Sequence, residues 1–234
     1  MKNKDQLKKE LESFNGLWEG GTTLVKQGWN RVSKERNIDA IYNVCVRPYI
    51  NKDTTVLEIG CNGGGWTKKM LHAKKVIGFD ALSRRYTGFD VNIGRANNVE
   101  YYQVKDFKCN ELGDNSIDYV FSYDVFCHIS YSGTEEYLKN LYPKVKKGAN
   151  FFIMIADADK YTNKRSLQAS ANKAGFSTIK EYIDDYDGEA KGGRWFFYGT
   201  EKFCELLDKY MYNVVSRDVM GDLDPLSPTI HFIK

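Results

Sequence analysis

Apolar residues gather into short runs that recur along the chain, with polar and glycine-containing stretches between them. Val56, Leu57 and Ile59 form one run, and Val76, Ile77 and Phe79 the next. Residues 101–104, 117–122 and 150–155 repeat the pattern. Short continuous runs of this kind suit strands buried on both faces. Elsewhere the apolar period lengthens to that of a helix. Leu7, Leu11 and Phe14 share a face in residues 1–15, and Tyr137, Leu138, Leu141 and Val145 share one in residues 134–147. Residues 38–50, up to a break near Pro48, the segment opened by Trp66 and Thr67, and residues 201–210 also read as helices. Strands alternating with helices predict an α/β fold with a mostly parallel sheet and helices on both faces. Residues 212–218 and 229–233 would close it as an antiparallel sixth and seventh strand.

Two segments carry weak patterns. Residues 81–98 hold Gly88, Gly94 and several Asn, so any helix there is expected to be short. Residues 158–195 are polar, mixed in charge and without a long period, and read as an insertion after the fifth strand.

Composition narrows the partners. Net charge is only +3, and the basic pairs are scattered, so a groove for long nucleic acid is not expected. The five cysteines lack C-x-x-C spacing and are odd in number, which suits free thiols in a reducing cytoplasm better than a disulfide framework. The charged start has no apolar signal core, and no run reaches membrane-spanning length. A cytoplasmic chain, monomer or dimer, acting on a small molecule is the expectation.

The chemistry concentrates after the first strand, in V-L-E-I-G-C-N-G-G-G-W-T, residues 56–67. A strand, a glycine turn and a helix make half of a βαβ unit. The glycines allow a sharp turn and a close approach by a ligand. Asp80 ends the second strand, where a carboxylate can accept hydrogen bonds from both hydroxyls of a ribose. A dinucleotide and S-adenosylmethionine both fit. The dinucleotide fingerprint needs glycine where Asn62 stands, between Gly60 and Gly65, and Glu58 would repel a pyrophosphate while suiting a cationic methionine end.

The stretch resembles motif I of the class I S-adenosylmethionine-dependent methyltransferases, in the form E-x-G-C-x-x-G-x-W-T. Ser122-Tyr-Asp-Val-Phe-Cys-His128-Ile129 is similar to the S-x-x-V-x-x-H-I pattern that the family carries after strand four. Lys146-Lys-Gly-Ala resembles the turn before its strand five. The resemblance implies a seven-stranded sheet in the order 3-2-1-4-5-7-6 with the seventh strand antiparallel. It also implies a helical lid over residues 1–37 ahead of a catalytic domain at 38–234, with the 158–195 insertion near the substrate pocket. Trp18, Trp29 and Tyr42 would be lid aromatics or would pack the lid onto the core.

Carried over residue by residue, the cofactor site comprises Glu58, Gly60, Cys61, Asn62, Gly63, Gly64, Trp66, Asp80, Ala81, Asp106, Phe107, Ser122 and Tyr123. Asp106 would meet the adenine amino group, or cap a turn. Ser122 and Tyr123 would offer backbone to the methionine amine.

Methyl transfer to oxygen or nitrogen also needs a destination for the acceptor's proton. His128, after strand four at the carboxyl edge of the sheet, is the expected base, with Asp124 orienting it or taking the proton itself. Some family members use Mg²⁺ at this edge, and Asp124, Asp157 and Asp159 could copy that arrangement; no resident metal is expected here, and no Cys/His spacing suggests zinc. The N/D-P-P-Y/F tetrapeptide used on planar amide or base nitrogens is absent, with Tyr123-Asp-Val-Phe in its place. The chain looks like bacterial enzymes that O-methylate sugars or phosphate-linked groups of surface polysaccharides such as capsule. An amine acceptor is the alternative within the class. A dinucleotide-dependent dehydrogenase is the alternative outside it.

Overall fold

The computed structural model describes residues 1–17, 37–161, 163–190 and 193–234. Its centre is a seven-stranded sheet in the order β3-β2-β1-β4-β5-β7-β6. Strand β1 (Thr55–Ile59) lies between β2 (Lys75–Asp80) and β4 (Ile117–Ser122), parallel to both. Strands β3 (Val99–Gln103) and β5 (Val145–Met154) extend the parallel set outward. Strand β7 (Thr229–Ile233) runs antiparallel to both β5 and β6 (Asn213–Ser216). The strand order reverses between β1 and β4, so the connections leaving their carboxyl ends diverge and open a crevice.

Alternation along each strand divides the core into two layers. Leu57, Ile59, Phe79, Val120 and Phe151 face one way, against Leu11 of α1 (Lys4–Leu17), helix α6 (Tyr131–Leu141) and helix α9 (Gly199–Lys209). Val56, Val76, Tyr119, Phe121 and Phe152 face the other, against α2 (Ile38–Ile41), α3 (Gly65–Lys69) and α7 (Lys164–Lys173). All five cysteines are free and buried. Among the described residues no helix is long and apolar enough to cross a membrane.

Several boundaries differ from expectation. Helix α2 widens into a π-helical turn over Tyr42–Val46, and the Arg47 N–H donates to the Tyr42 carbonyl at 2.8 Å, before Pro48 ends the run. Helix α6 starts earlier than residue 134, because Ser130 caps it: its hydroxyl accepts from the Gly133 N–H at 3.2 Å. It also stops earlier, ahead of Pro143, and Val145 opens β5 opposite Ile117. Lys146, Lys147 and Gly148 therefore lie within β5, where the register against β4 shifts.

The weakly patterned segments are helical in short pieces. Residues 81–98 hold α4 (Arg84–Thr87) and α5 (Phe89–Ile93), separated by Gly88 at φ +66°. Residues 158–195 hold α7 and α8 (Ile179–Asp184), the latter opened by a Thr178/Glu181 capping box. Few buried side chains fix them, chiefly Leu167, Ala171 and Tyr182, which is why no apolar period shows in the sequence. Trp18 and Trp29 lie outside the described residues. Tyr42 packs partly buried on the α2 side, its ring 5.1 Å from Lys69 Nζ.

Candidate active site

The turn after β1 needs its glycines. Gly60 sits at φ +77° and Gly64 at φ +80°, a region that side chains rarely adopt. A Cβ on Gly60 would fall 2.1 Å from Val125 Cγ2, and one on Gly64 2.7 Å from Ile93. The loops that follow β1, β2 and β4 therefore touch across this turn. Asn62 takes φ +41°, and asparagine is one of the few other residues that tolerates such a value. That is how the turn closes without the fingerprint's middle glycine.

Asp80 reaches back to the same turn. Its carboxylate accepts the Asn62 N–H at 2.7 Å and the Leu82 N–H at 2.9 Å. The side chain is 8% exposed, and burial pushes its pKa up to about 6 despite those donors. Glu58, 2% exposed, accepts the Thr67 hydroxyl. Burial pushes it up to about 8, and the nearby charge of Asp80 adds to the shift. Two buried carboxylates flank one turn, both resisting ionisation. A ligand that brings a cation and hydroxyl donors relieves both.

The remaining cofactor candidates divide by what they touch. Ser122 donates to the Ile59 carbonyl at 3.0 Å and ties the end of β4 to β1. Asn92 Nδ2 donates to the Gly63 carbonyl at 2.7 Å and steadies the turn from α5. Cys61 is buried, and its thiol is pushed well above its ordinary pKa by that burial, so it serves as packing. Trp66 is buried with its ring 5.1 Å from Phe121 and 5.7 Å from Tyr123. Ala81 presents its carbonyl to Gln103 Nε2 at 3.1 Å. Asp106 caps the turn after β3 through the Lys108 N–H at 2.9 Å, and Phe107 is buried in the core against Tyr137.

The other half of the site leaves β4. Tyr123 donates its hydroxyl to the buried carboxylate of Asp224, from the far end of the chain. Asp124 follows at φ +63°, an uncommon value that turns the chain into a single 3₁₀ turn, Phe126–His128. His128 Nδ1 lies 3.1 Å from the Arg194 carbonyl. A carbonyl only accepts, so Nδ1 donates its proton to it. Side-chain ligand atoms of Asp124, Cys127 and His128 all lie within 4.8 Å of one another.

Distant segments hold this half in place. Arg194 is pinned by Asp185 at 2.7 Å, with its guanidinium 4.6 Å from the Phe196 ring centroid and 4.9 Å from that of Phe176. Trp195 stands edge-on to His128 at 6.1 Å, with Tyr161 5.7 Å beyond it. From α1, buried Glu10 accepts the Ser130 N–H at 2.8 Å and its hydroxyl at 2.7 Å, and pairs with Lys2 at 2.6 Å.

The oxygen-only metal set does not assemble. Asp157 accepts the Thr200 N–H at 2.8 Å and hydroxyl at 2.7 Å and so caps α9, and it also receives the Asp159 N–H at 3.0 Å. Asp124 is grouped with Cys127 and His128 instead.

Sequence reasoning missed Val125, Arg194, Trp195, Asp224 and Glu10. Glu10 had a signal: it falls between Leu7 and Leu11 on the apolar stripe of its helix, where a carboxylate needs a partner. Arg194 and Asp224 had none, because their partners lie 66 and 101 positions away.

Sheet order, glycine turn and the acidic end of β2 together define a Rossmann-like S-adenosylmethionine-dependent methyltransferase. The chain belongs to the methyltransferase domain family, whose model matches residues 33–217. No curated protein matches its sequence. Solved structures do match its fold. One is the 1,6-didemethyltoxoflavin-N1-methyltransferase of Burkholderia thailandensis, with TM-score 0.64 and 13% identity, covering 100% of this chain and 91% of that one. An S-adenosylmethionine-dependent methyltransferase from Mesorhizobium loti has TM-score 0.60 and 13% identity over 85% of this chain and 99% of its own. The N-methyltransferase NodS of Bradyrhizobium japonicum has TM-score 0.56 and 15% identity over 88% and 97%. The chain is an enzyme, and its cofactor is S-adenosylmethionine.

Proposed function

We propose that the enzyme methylates an oxygen of a small polar acceptor, a sugar or a phosphate-linked group in the building of a bacterial surface polysaccharide. When bound, the cofactor supplies an electrophilic methyl on a sulfonium. Gly60 to Gly64 would hold it, with Asp80 on the ribose hydroxyls and Glu58 towards the methionine ammonium. His128 carries the acceptor side of this reading. Its Nδ1 donates to the Arg194 carbonyl, and in this reading Nε2 is the atom that takes the acceptor's proton. Asp124 stands beside it to favour the imidazolium that forms. Trp195 and Tyr161 add aromatic faces next to the imidazole, against which the apolar face of a sugar ring can stack. The 158–195 segment thus serves as the acceptor wall, and α1, clamped through Glu10, as the fixed part of a lid.

An amine acceptor is the second reading, since two of the proteins of similar fold are named N-methyltransferases. The test has two stages. Calorimetry with S-adenosylhomocysteine and with NAD checks the cofactor; binding of NAD alone would sink the reading. Formation of S-adenosylhomocysteine is then followed over sugar phosphates, nucleotide sugars and small amines. Turnover with an amine and with no hydroxyl acceptor would replace the oxygen reading by the nitrogen one.

A further inference from the structure

We propose that Asp124, Cys127 and His128 form an open three-ligand site for a soft divalent cation of the zinc class. Its placement at the acceptor end rests on the methyltransferase reading; the binding does not. Each residue offers one ligand atom, an oxygen, a sulfur and a nitrogen, and the three lie within 4.8 Å of one another. Cys127 Sγ is 3.8 Å from Asp124 Oδ1. Ligands bonded to one tetrahedral Zn²⁺ at about 2.0–2.3 Å sit roughly 3.3–3.8 Å apart, so only small side-chain movements are needed.

The donor set selects the ion. A thiolate and an imidazole favour zinc-class metals over Mg²⁺ or Ca²⁺, which take oxygen. This sets the trio apart from an oxygen-only arrangement, which Asp157 has left to cap α9. The second sphere is also suitable. A ligating histidine typically donates its other N–H to a carbonyl or carboxylate, which fixes the ring and its tautomer. His128 Nδ1 already faces the Arg194 carbonyl in this way, so ligation through Nε2 is the mode that would keep that bond. Arg194 is itself immobilised by Asp185 and three aromatic rings. Asp124 reaches the cluster because φ +63° turns its backbone there, and the 3₁₀ turn brings Cys127 and His128 alongside.

Three protein ligands leave one position open, as in catalytic zinc sites. An acceptor oxygen or sulfur taking that position would be held as its anion, its proton released to water. In the metal-free chain Nε2 remains the proton acceptor of the reading above; with an ion bound, the imidazole would serve as a ligand instead.

The test uses the whole chain, stripped with a chelator and dialysed. Zn²⁺ alone is titrated in competition with a chromophoric chelator, and Co²⁺ alone is followed by absorption. The expected result is one equivalent bound per chain, a near-ultraviolet thiolate-to-Co²⁺ band, and affinity at least ~100-fold weaker in Cys127→Ser and in His128→Ala. Asp124→Asn should weaken binding with the thiolate band retained, which keeps the test decisive if the Cys127 variant folds poorly. Absence of stoichiometric uptake overturns the proposal. So does a Co²⁺ band that survives in a folded Cys127→Ser variant, because the sulfur would then be another cysteine. Calorimetry with S-adenosylhomocysteine on the same stripped protein keeps the two readings apart. Cofactor binding without metal uptake ends only this proposal, and metal uptake without cofactor binding ends only the other.

Discussion

The two halves of the proposed site, one for the cofactor and one for the acceptor, are built differently. The cofactor half is local: Glu58, Gly60, Asn62, Gly64 and Asp80 come from one βαβ unit, and the decisive contacts are backbone angles and backbone N–H groups. The acceptor half is assembled from across the chain. His128 depends on Arg194, Tyr123 on Asp224, and the start of α6 on Glu10. A nucleoside common to the whole class can be held by a turn, whereas an acceptor peculiar to one enzyme is met by side chains brought from afar. The cofactor half should therefore fail through single residues near the turn, and the acceptor half through residues far from the chemistry.

The largest expected effect tests the acceptor half. His128→Ala should lower turnover by about 10²–10⁴-fold, the usual range for a general base, with S-adenosylhomocysteine affinity nearly unchanged. Steady-state rates beside calorimetry would show the separation. Equal losses in turnover and in cofactor affinity would mean that the halves are not distinct. Asp80→Ala is the counterpart. Each hydrogen bond to a charged acceptor contributes roughly 1.5–3 kcal/mol, so loss of the two ribose contacts should weaken S-adenosylhomocysteine by at least about 100-fold. The Asn62 and Leu82 N–H groups also lose their acceptor, so a lower melting temperature should accompany it.

Glu10→Ala probes action from a distance. It removes a buried acceptor from the Ser130 N–H and hydroxyl and leaves the Lys2 ammonium without its carboxylate. The expected loss is about 1–3 kcal/mol of stability, read by denaturant unfolding. Turnover should fall with cofactor affinity kept, since Ser130 follows His128 by two residues. Unchanged turnover would mean that α1 stabilises the fold without positioning the base.

The same division explains what the sequence showed. The turn and strand end of the proposed cofactor half were legible because glycines, a strand-end acid and a short apolar run are local signals. The sheet order was legible through the same motifs. What escaped were long-range pairings and short helices carried by few apolar residues, such as α7 with Leu167 and Ala171. Boundaries failed where a cap or a proline overrode periodicity: Ser130 moved the start of α6, and Pro143 handed Val145 to a strand. His128 was visible as a residue, while its tautomer was not, because Arg194 stands 66 positions on.

The smallest effect sharpens the electrostatics of the local half. Glu58 titrates at about 8 in the fold against an ordinary 4.5, so the folded chain holds this proton more tightly than the unfolded one. Its contribution to stability is fully present below about 4.5 and is lost as pH rises through about 8. Asp80 acts in the same direction over a narrower window, from 3.8 to about 6. Unliganded stability should thus decline with rising pH across both windows. In Glu58→Gln the decline from these two carboxyls should be confined to the region below about 6, leaving a flatter profile between about 6 and 8. A ligand ammonium near Glu58 favours the charged carboxylate, so cofactor binding at pH 7 should release protons in the native chain and far fewer in the variant. Calorimetry in buffers of different ionisation enthalpy measures that release directly. An equal release in both proteins would move the methionine end of the ligand away from Glu58, and with it the direction in which the site points its methyl group.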